Sequence, residues 1–185
     1  HCANTGPMTS VLNVGGHVRV RYSPSPTRKL DWTWEQAEVI HDGSGDSCWV
    51  GVNTSFANKL VRLAIESDYL KEEIGPISEI RQEVVYGTNS RSRIDLLLKP
   101  TEDASDTRLI FLEVKNTTWK KDRVAFFPDS VTKRGQKHLR ELMGVLPKAR
   151  SILVPCLSRS DVDYFAPGED ADPLYGKLFW KALSL

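Results

Sequence analysis

A chain of 185 residues is long enough for one ordinary domain or two small ones with a sizeable core. Its formal net charge of +1 means that any nucleic-acid surface must come from local clusters, because no global basic excess exists. Hydrophobic content of 40% without an apolar run of spanning length describes a globular chain and excludes a membrane partner built on helices.

The opening His1-Cys2-Ala3-Asn4-Thr5-Gly6 lacks the charged start and apolar middle of a signal peptide. Cys2, Cys48 and Cys156 are widely spaced with no C-x-x-C pair. That argues against a disulfide framework or structural zinc, and for buried thiols in a reducing compartment, a bacterial cytoplasm or an organelle interior. Residues 1 to about 42 read as all-β. Val18, Val20 and Tyr22 alternate with Arg19 and Arg21 in a half-exposed strand. A Ser-Pro-rich loop leads to Arg28-Lys29, and Trp32 and Trp34 open a second strand running to about Ile40. Short strands carrying arginines and indoles suit a small OB-type barrel that holds single strands by charge and stacking; tryptophans serving only as core are the alternative. Asp42-Gly43-Ser44-Gly45-Asp46 is the expected boundary, dividing residues 1–45 from 46–185.

Beyond it, Cys48 to Val52 reads as a short strand, and Asn53 or Thr54 caps a helix to about Lys71 with Phe56, Leu60, Leu63, Ala64 and Ile65 inward. Strands follow over Glu79 to Tyr86, Ser90 to Leu98 and Leu109 to Lys115, then a short apolar stretch at Val124 to Phe127. Pro128-Asp129-Ser130 opens a helix with Leu139, Leu142 and Leu146 as its buried stripe. A last strand, Ser151 to Leu157, an acidic turn-rich connection and a helix from Leu174 to Leu183 complete the chain. Helix, three strands, helix, strand is an α/β layer arrangement.

Leu109 to Lys115 is too densely apolar for a half-exposed strand and reads as buried on both faces. Glu113 and Lys115 share a face with Leu109 and Phe111; Ile110, Leu112 and Val114 take the other. A carboxylate and an ammonium in so apolar a strand are costly unless paired or bound to a metal. In the preceding strand Ile94, Leu96 and Leu98 share one face, with Asp95 and Leu97 on the other. The polar connection from Pro100 to Arg108 suits a hairpin, which brings Asp95 to Glu113 with Lys115 beside them. A plain strand-end ion pair is the alternative. Two carboxylates suit the hard cations Mg²⁺ and Mn²⁺, which activate water and neutralise charge on a phosphoryl group. The lysine can orient or deprotonate that water or steady the phosphorane oxygens. The pattern resembles the PD-(D/E)xK nuclease superfamily, with Asp95 as first acid and Glu113-Val114-Lys115 as the E-x-K.

Lys133, Arg134, Lys137, His138 and Arg140 crowd the helix after Asp129. Cations at a helix start oppose its dipole, a tension a phosphate would relieve; a solvated charged face is the alternative. Gln136 among them can orient water or phosphate, and Ser90 to Arg93 sit where phosphate-positioning groups are expected. His138 reads as a surface residue. Gly135 marks a close approach of the backbone to another strand or a ligand.

Several blocks carry a broader resemblance: His1 to Met8, Arg28-Lys29-Leu30, Thr33-Trp34-Glu35, Trp49 to Thr54, Ser92-Arg93-Ile94-Asp95, Glu113-Val114-Lys115-Asn116, Phe127-Pro128-Asp129 and Arg134 to Leu142. Together they resemble the sugar fermentation stimulation protein A (SfsA) family. The resemblance implies a partial N-terminal OB-like β-barrel followed by a restriction-endonuclease-like PD-(D/E)xK α/β domain, an α+β fold. It implies catalytic roles for Asp95, Glu113, Lys115 and Gln136, Mg²⁺ or Mn²⁺ on Asp95 and Glu113, and nucleic acid, DNA before RNA, as partner. Arg19, Arg21, Arg28, Lys29, Arg91, Arg93, Arg134 and Lys137 are the expected nucleic-acid contacts. Self-association is left open. The expected function is a metal-dependent nuclease, with a catalytically silent DNA-binding regulator as the alternative. Against the family pattern, the first barrel strands and last strand are expected to be missing. Ala3 stands where proline is common, Lys133 where Glu is expected, and Leu63 where many members carry a helix acid, with Glu66 as a substitute.

Overall fold

The structure, a computed structural model, describes residues 1–4, 6–41, 45–87 and 92–185. The expected boundary at Asp42-Gly43-Ser44, and Ser90-Arg91, lie outside the described residues. Alternating β-branched and charged side chains make β1 (Val18–Tyr22), which pairs antiparallel with β2 (Trp32–Ile40). β2 pairs in turn with β3 (Ser47–Gly51), so Cys48 to Gly51, expected to open the second unit, completes the sheet of the first. Ala37, Cys48, Val50 and Val52 form its core with Met8 and Val11 of the leading segment. Of the tryptophans, Trp34 packs on that core, whereas Trp32 is exposed and lies 4.9 Å from the Tyr22 ring. Cys48 is buried, and all three cysteines are free thiols.

Asn53 caps α1 (Thr54–Glu66), its side-chain oxygen accepting the Ser55 amide at 3.2 Å. A single turn, α2 (Lys71–Ile74), leads to a four-stranded sheet in the order β4 (Ile77–Tyr86), β5 (Ser92–Pro100), β6 (Ile110–Thr117), β9 (Arg150–Leu157). The first two pairs are antiparallel, the β5–β6 pair as the polar connection from Pro100 to Arg108 predicts. β6 and β9 are parallel, so the chain must cross over between them, and the crossover carries α3 (Lys133–Gly144). β6 is covered on both faces. Ile110, Leu112 and Val114 meet Leu96, Leu98 and α1, while Phe111 packs against a second cluster of Tyr86, Ile94, Leu97 and Leu142 of α3.

The face of α1 differs from expectation. Ala57, Val61 and Ile65 pack inward, and Phe56, Leu60 and Leu63 are exposed. A small side chain at 57 lets the helix lie close on the sheet, which a Phe there would prevent. α3 begins three residues later than Asp129-Ser130, with Thr132 accepting the Gly135 amide at 3.0 Å. Gly135 meets a helix: a Cβ there would lie 3.2 Å from Tyr175 of α4 (Pro173–Leu183). A small third sheet, β7 (Trp119–Lys121), β8 (Val124–Phe127) and β10 (Tyr164–Pro167), has β10 parallel to β8 inside the stretch read as a plain connection. No helix among the described residues is long and apolar enough to cross a membrane.

Candidate active site and nucleic-acid interface

The β5–β6 ladder ends at Leu96↔Leu112. Just beyond it Asp95 takes the next backbone donor with its side chain, Oδ2 accepting the Val114 amide at 2.7 Å. Oδ1 accepts from Asn58 Nδ2 of α1 at 2.8 Å. Strand alternation breaks here. Asp95 reaches α1, on which Leu96 and Leu98 also pack, and Ile94 joins Leu97 in the other cluster, contrary to the expected grouping. The residue of β4 between the pairs Gln82↔Leu96 and Val84↔Ile94, Glu83, lies opposite Asp95 in unbroken register and has φ +53°. A non-glycine residue held in that region is strained, and such residues gather at functional sites.

Glu113, 2% exposed, meets Lys115 Nζ at 2.5 Å. The same Oε1 bonds Nδ1 of His138, and Oε2 of Glu113 is buried with no hydrogen-bond partner among the described residues. His138 is itself buried, a correction to its surface reading, and its Nε2 accepts from Arg134 Nε at 3.4 Å. A ring protonated at Nδ1 satisfies the Glu113 and Arg134 contacts, with Lys115 Nζ lying 3.2 Å from the same nitrogen. Burial, then the charge of Glu113, raises the Asp95 carboxyl above its ordinary value against the bonds from Val114 and Asn58. Burial pushes Glu113 the same way, but the His138 bond and the Lys115 charge prevail and hold it below its ordinary value.

Asp95, Glu113 and Lys115 line one cavity of about 540 Å³, with Glu83 at its edge. Asn4 and Gly6 of the leading segment border it, tied there by the Met8 amide on Asp129 Oδ2 at 3.3 Å. Its far wall is aromatic: Trp119 and Phe126, ring centroids 5.3 Å apart, with Phe127 beneath Lys115 at 5.9 Å.

Other expected residues lie elsewhere. Gln136 does not line the cavity; its Nε2 donates to both oxygens of Asp172, at 3.0 and 2.9 Å. Leu63 is exposed and Glu66 pairs with Arg62 at 2.7 Å, so α1 meets the cavity through Thr54, Ser55 and Asn58 instead. Arg134 lines the cavity, and Arg93 and Lys137 line a pocket beside it. In the barrel, Arg19 lies 3.8 Å over the Trp49 ring and Arg21 bonds Glu35 at 2.7 Å. Arg28 braces its own loop through Ser23 and Thr33, and Lys29 is exposed. None of these four borders the acid cavity. Asn58, Glu83, His138 and the aromatic wall were not anticipated as site residues.

The sequence matches the family described as the SfsA N-terminal OB domain over residues 1–52, and the sugar fermentation stimulation protein RE domain over residues 55–185. This chain belongs to the SfsA family. SfsA homologues of Prochlorococcus marinus strains MIT 9313 and MIT 9303 are each 64% identical to it over 184 residues; the chain covers 73% and 71% of their lengths. A homologue from Synechococcus sp. strain CC9902 is 64% identical over 183 residues. The solved structure of Pyrococcus furiosus SfsA in complex with Ca²⁺ matches 99% of this chain and 72% of that one, with a TM-score of 0.82 at 24% identity. The SfsA fold, an OB domain joined to a mixed α/β domain, is therefore the fold of this chain.

Proposed function

We propose that this SfsA-family protein is a nuclease that hydrolyses phosphodiester bonds in nucleic acid, with a divalent cation held by Asp95 and Glu113. The observation that carries the reading is the convergence of Asp95, Glu113 and Lys115 on one polar cavity, with Glu113 Oε2 buried and unpartnered among the described residues. An orphaned carboxylate oxygen is costly in so dry a place. Oxygen donors of this kind fit a hard cation, and Asp95 can add to the set because each of its oxygens keeps a second lone pair. Mg²⁺ or Mn²⁺, when bound, supplies Lewis acidity that lowers the pKa of water and offsets charge on the phosphoryl oxygens.

The chain's own groups do the rest. Lys115, fixed by Glu113 and beside Phe127, orients the attacking water or steadies a non-bridging oxygen. Trp119 and Phe126 offer faces on which bases stack, and Arg134 neutralises backbone phosphate. Purified protein should cleave DNA or RNA with Mg²⁺ or Mn²⁺, and Asp95→Asn should abolish cleavage while keeping nucleic-acid binding. Cleavage undiminished in that variant removes Asp95 from the chemistry and the proposal with it.

A specific observation favours the second reading, a catalytically silent DNA-binding regulator. Among the described residues no group of three His, Cys, Asp or Glu side chains is placed to hold a metal ion, and α1 contributes Asn58 in place of an acid. That reading requires salt-sensitive binding without turnover in any metal.

A further inference from the structure

Beside the acid cavity lies a second pocket of about 430 Å³, built from both faces of a corner between β5 and α3. β5 contributes Ser92 and Arg93, and α3 contributes Lys133, Arg134 and Lys137; Glu83 of β4 is the pocket's single carboxylate. Arg134 and Glu83 line both pockets, so the two are contiguous. Arg93 and Lys133 form no ion pair among the described residues, and the nearest carboxylate to Lys137 is Glu141 at 3.6 Å. Ser92 is 4% exposed, lines the pocket, and its hydroxyl has no hydrogen-bond partner among the described residues. That hydroxyl keeps its hydrogen-bonding capacity at the wall of a pocket bordered by four cations, Arg93 of β5 and Lys133, Arg134 and Lys137 of α3.

We infer that this pocket binds a terminal phosphate monoester of a nucleic-acid strand, so that the strand is held by its end with the neighbouring phosphodiester over the acid cavity. The inference rests on nucleic acid being the substrate of that cavity. Charge decides between an internal and a terminal phosphate. A diester in mid-strand carries a single negative charge, whereas a monoester carries about −1.5 to −2 at neutral pH with three acceptor oxygens. With Glu83 in the lining and Glu141 paired to Lys137, the four cations leave an excess of about two charges, more than a diester neutralises and a match for a monoester, whose extra oxygens can also bond the Ser92 hydroxyl. His138 forms the partition: one ring nitrogen meets Glu113 in the acid cavity and the other meets Arg134, which both pockets share. An occupied end pocket would therefore hold Arg134 and, through His138, the carboxylate beyond it.

The test is fluorescence anisotropy in EDTA with four labelled DNAs of one sequence: 5′-phosphorylated, 3′-phosphorylated, hydroxyl at both ends, and circular. One phosphorylated form should bind about tenfold tighter than the hydroxyl and circular forms, the size of one strong charge-assisted contact. Arg93→Ala and Lys133→Ala, both at exposed positions, should each bring that ratio towards one. Equal affinity for all four DNAs overturns the inference, as does a preference that survives both substitutions. Competition by a nucleoside monophosphate as strong as that of the phosphorylated strand overturns the strand-end part and assigns the pocket to small phosphomonoesters. Cleavage with Mn²⁺ separates the two proposals. An end preference without turnover in any metal sinks the nuclease and keeps the pocket, whereas equal cleavage of circular and linear DNA without end preference does the reverse.

Discussion

At the scale of single residues, the proposed chemistry turns on how Glu113 is kept charged inside a sheet. Its Oε1 has His138 and Lys115 as partners, and both are buried beside it. Removing one partner leaves the carboxylate under-satisfied, at a cost of about 1–3 kcal/mol. His138→Ala should therefore lower stability by that amount in urea melts and depress cleavage. His138→Asn, whose amide can still donate towards Glu113, should recover most of the stability. Equal melts for wild type and His138→Ala would mean that the ring holds nothing. The burial of His138 was legible in principle. It lies three residues after Gly135 and four before Leu142, on the same buried stripe, but its basic neighbours pointed to solvent. Asp95, Glu113 and Lys115 stood out for the opposite reason, being charges inside strands too apolar to carry them idly. Asn58 gave no such signal, because an amide on a helix is unremarkable until the strand opposite is known to present a carboxylate.

At the scale of elements, the four strands of the large sheet were legible because each carries apolar side chains in a run bounded by polar connections, whereas the faces of helices were not. Size misled on α1: Phe56 and Leu60 are more hydrophobic than Ala57, but closeness of approach selects the smaller residue. β10 escaped notice because its only cue is pairing with β8, about forty positions away, and strand pairing at that distance leaves no local period. Gln136, expected to position substrate, has an element-level role in the structure. It ties α3 to Asp172, the buried N-cap of α4, which also accepts the amides of Tyr175 and Thr132. Gln136→Ala should cost about 1–3 kcal/mol of stability, since Asp172 loses a donor inside the protein. Cleavage per folded molecule should persist. A variant with an unshifted melting temperature but no activity would return Gln136 to substrate positioning.

At the scale of the whole molecule, the two sequence-matched units meet at a carboxylate that no motif announced. Asp161 accepts from Arg159 Nε at 2.6 Å and Lys120 Nζ at 2.7 Å on the α/β side. From the barrel side His41 Nε2 approaches to 3.5 Å and the Cys48 thiol donates at 3.6 Å. Arg159 is buried and also donates to the Thr118 carbonyl at 2.7 Å, so the junction is anchored in β7's approach as well. Burial raises the Asp161 carboxyl, but the bonds and charges of Arg159 and Lys120 outweigh it and hold the group well below the ordinary aspartate range. A folded-state pKa below the unfolded one adds stability that is complete above the unfolded value, about pH 4. That contribution fades as pH falls towards the folded value, because the unfolded chain takes up the proton first. Other acids held low, such as Asp106 and Asp163, fade over the same range, so the wild-type curve alone does not isolate the junction. The difference from Asp161→Asn does. At neutral pH the variant should melt lower than wild type, and the gap should narrow as the pH drops below about 4, where the wild-type carboxyl begins to lose its advantage. Thermal melts across that range measure the gap. A gap that stays constant into acid would show that Asp161 acts through shape and hydrogen bonding alone, with its charge contributing nothing to the joining of barrel and sheet.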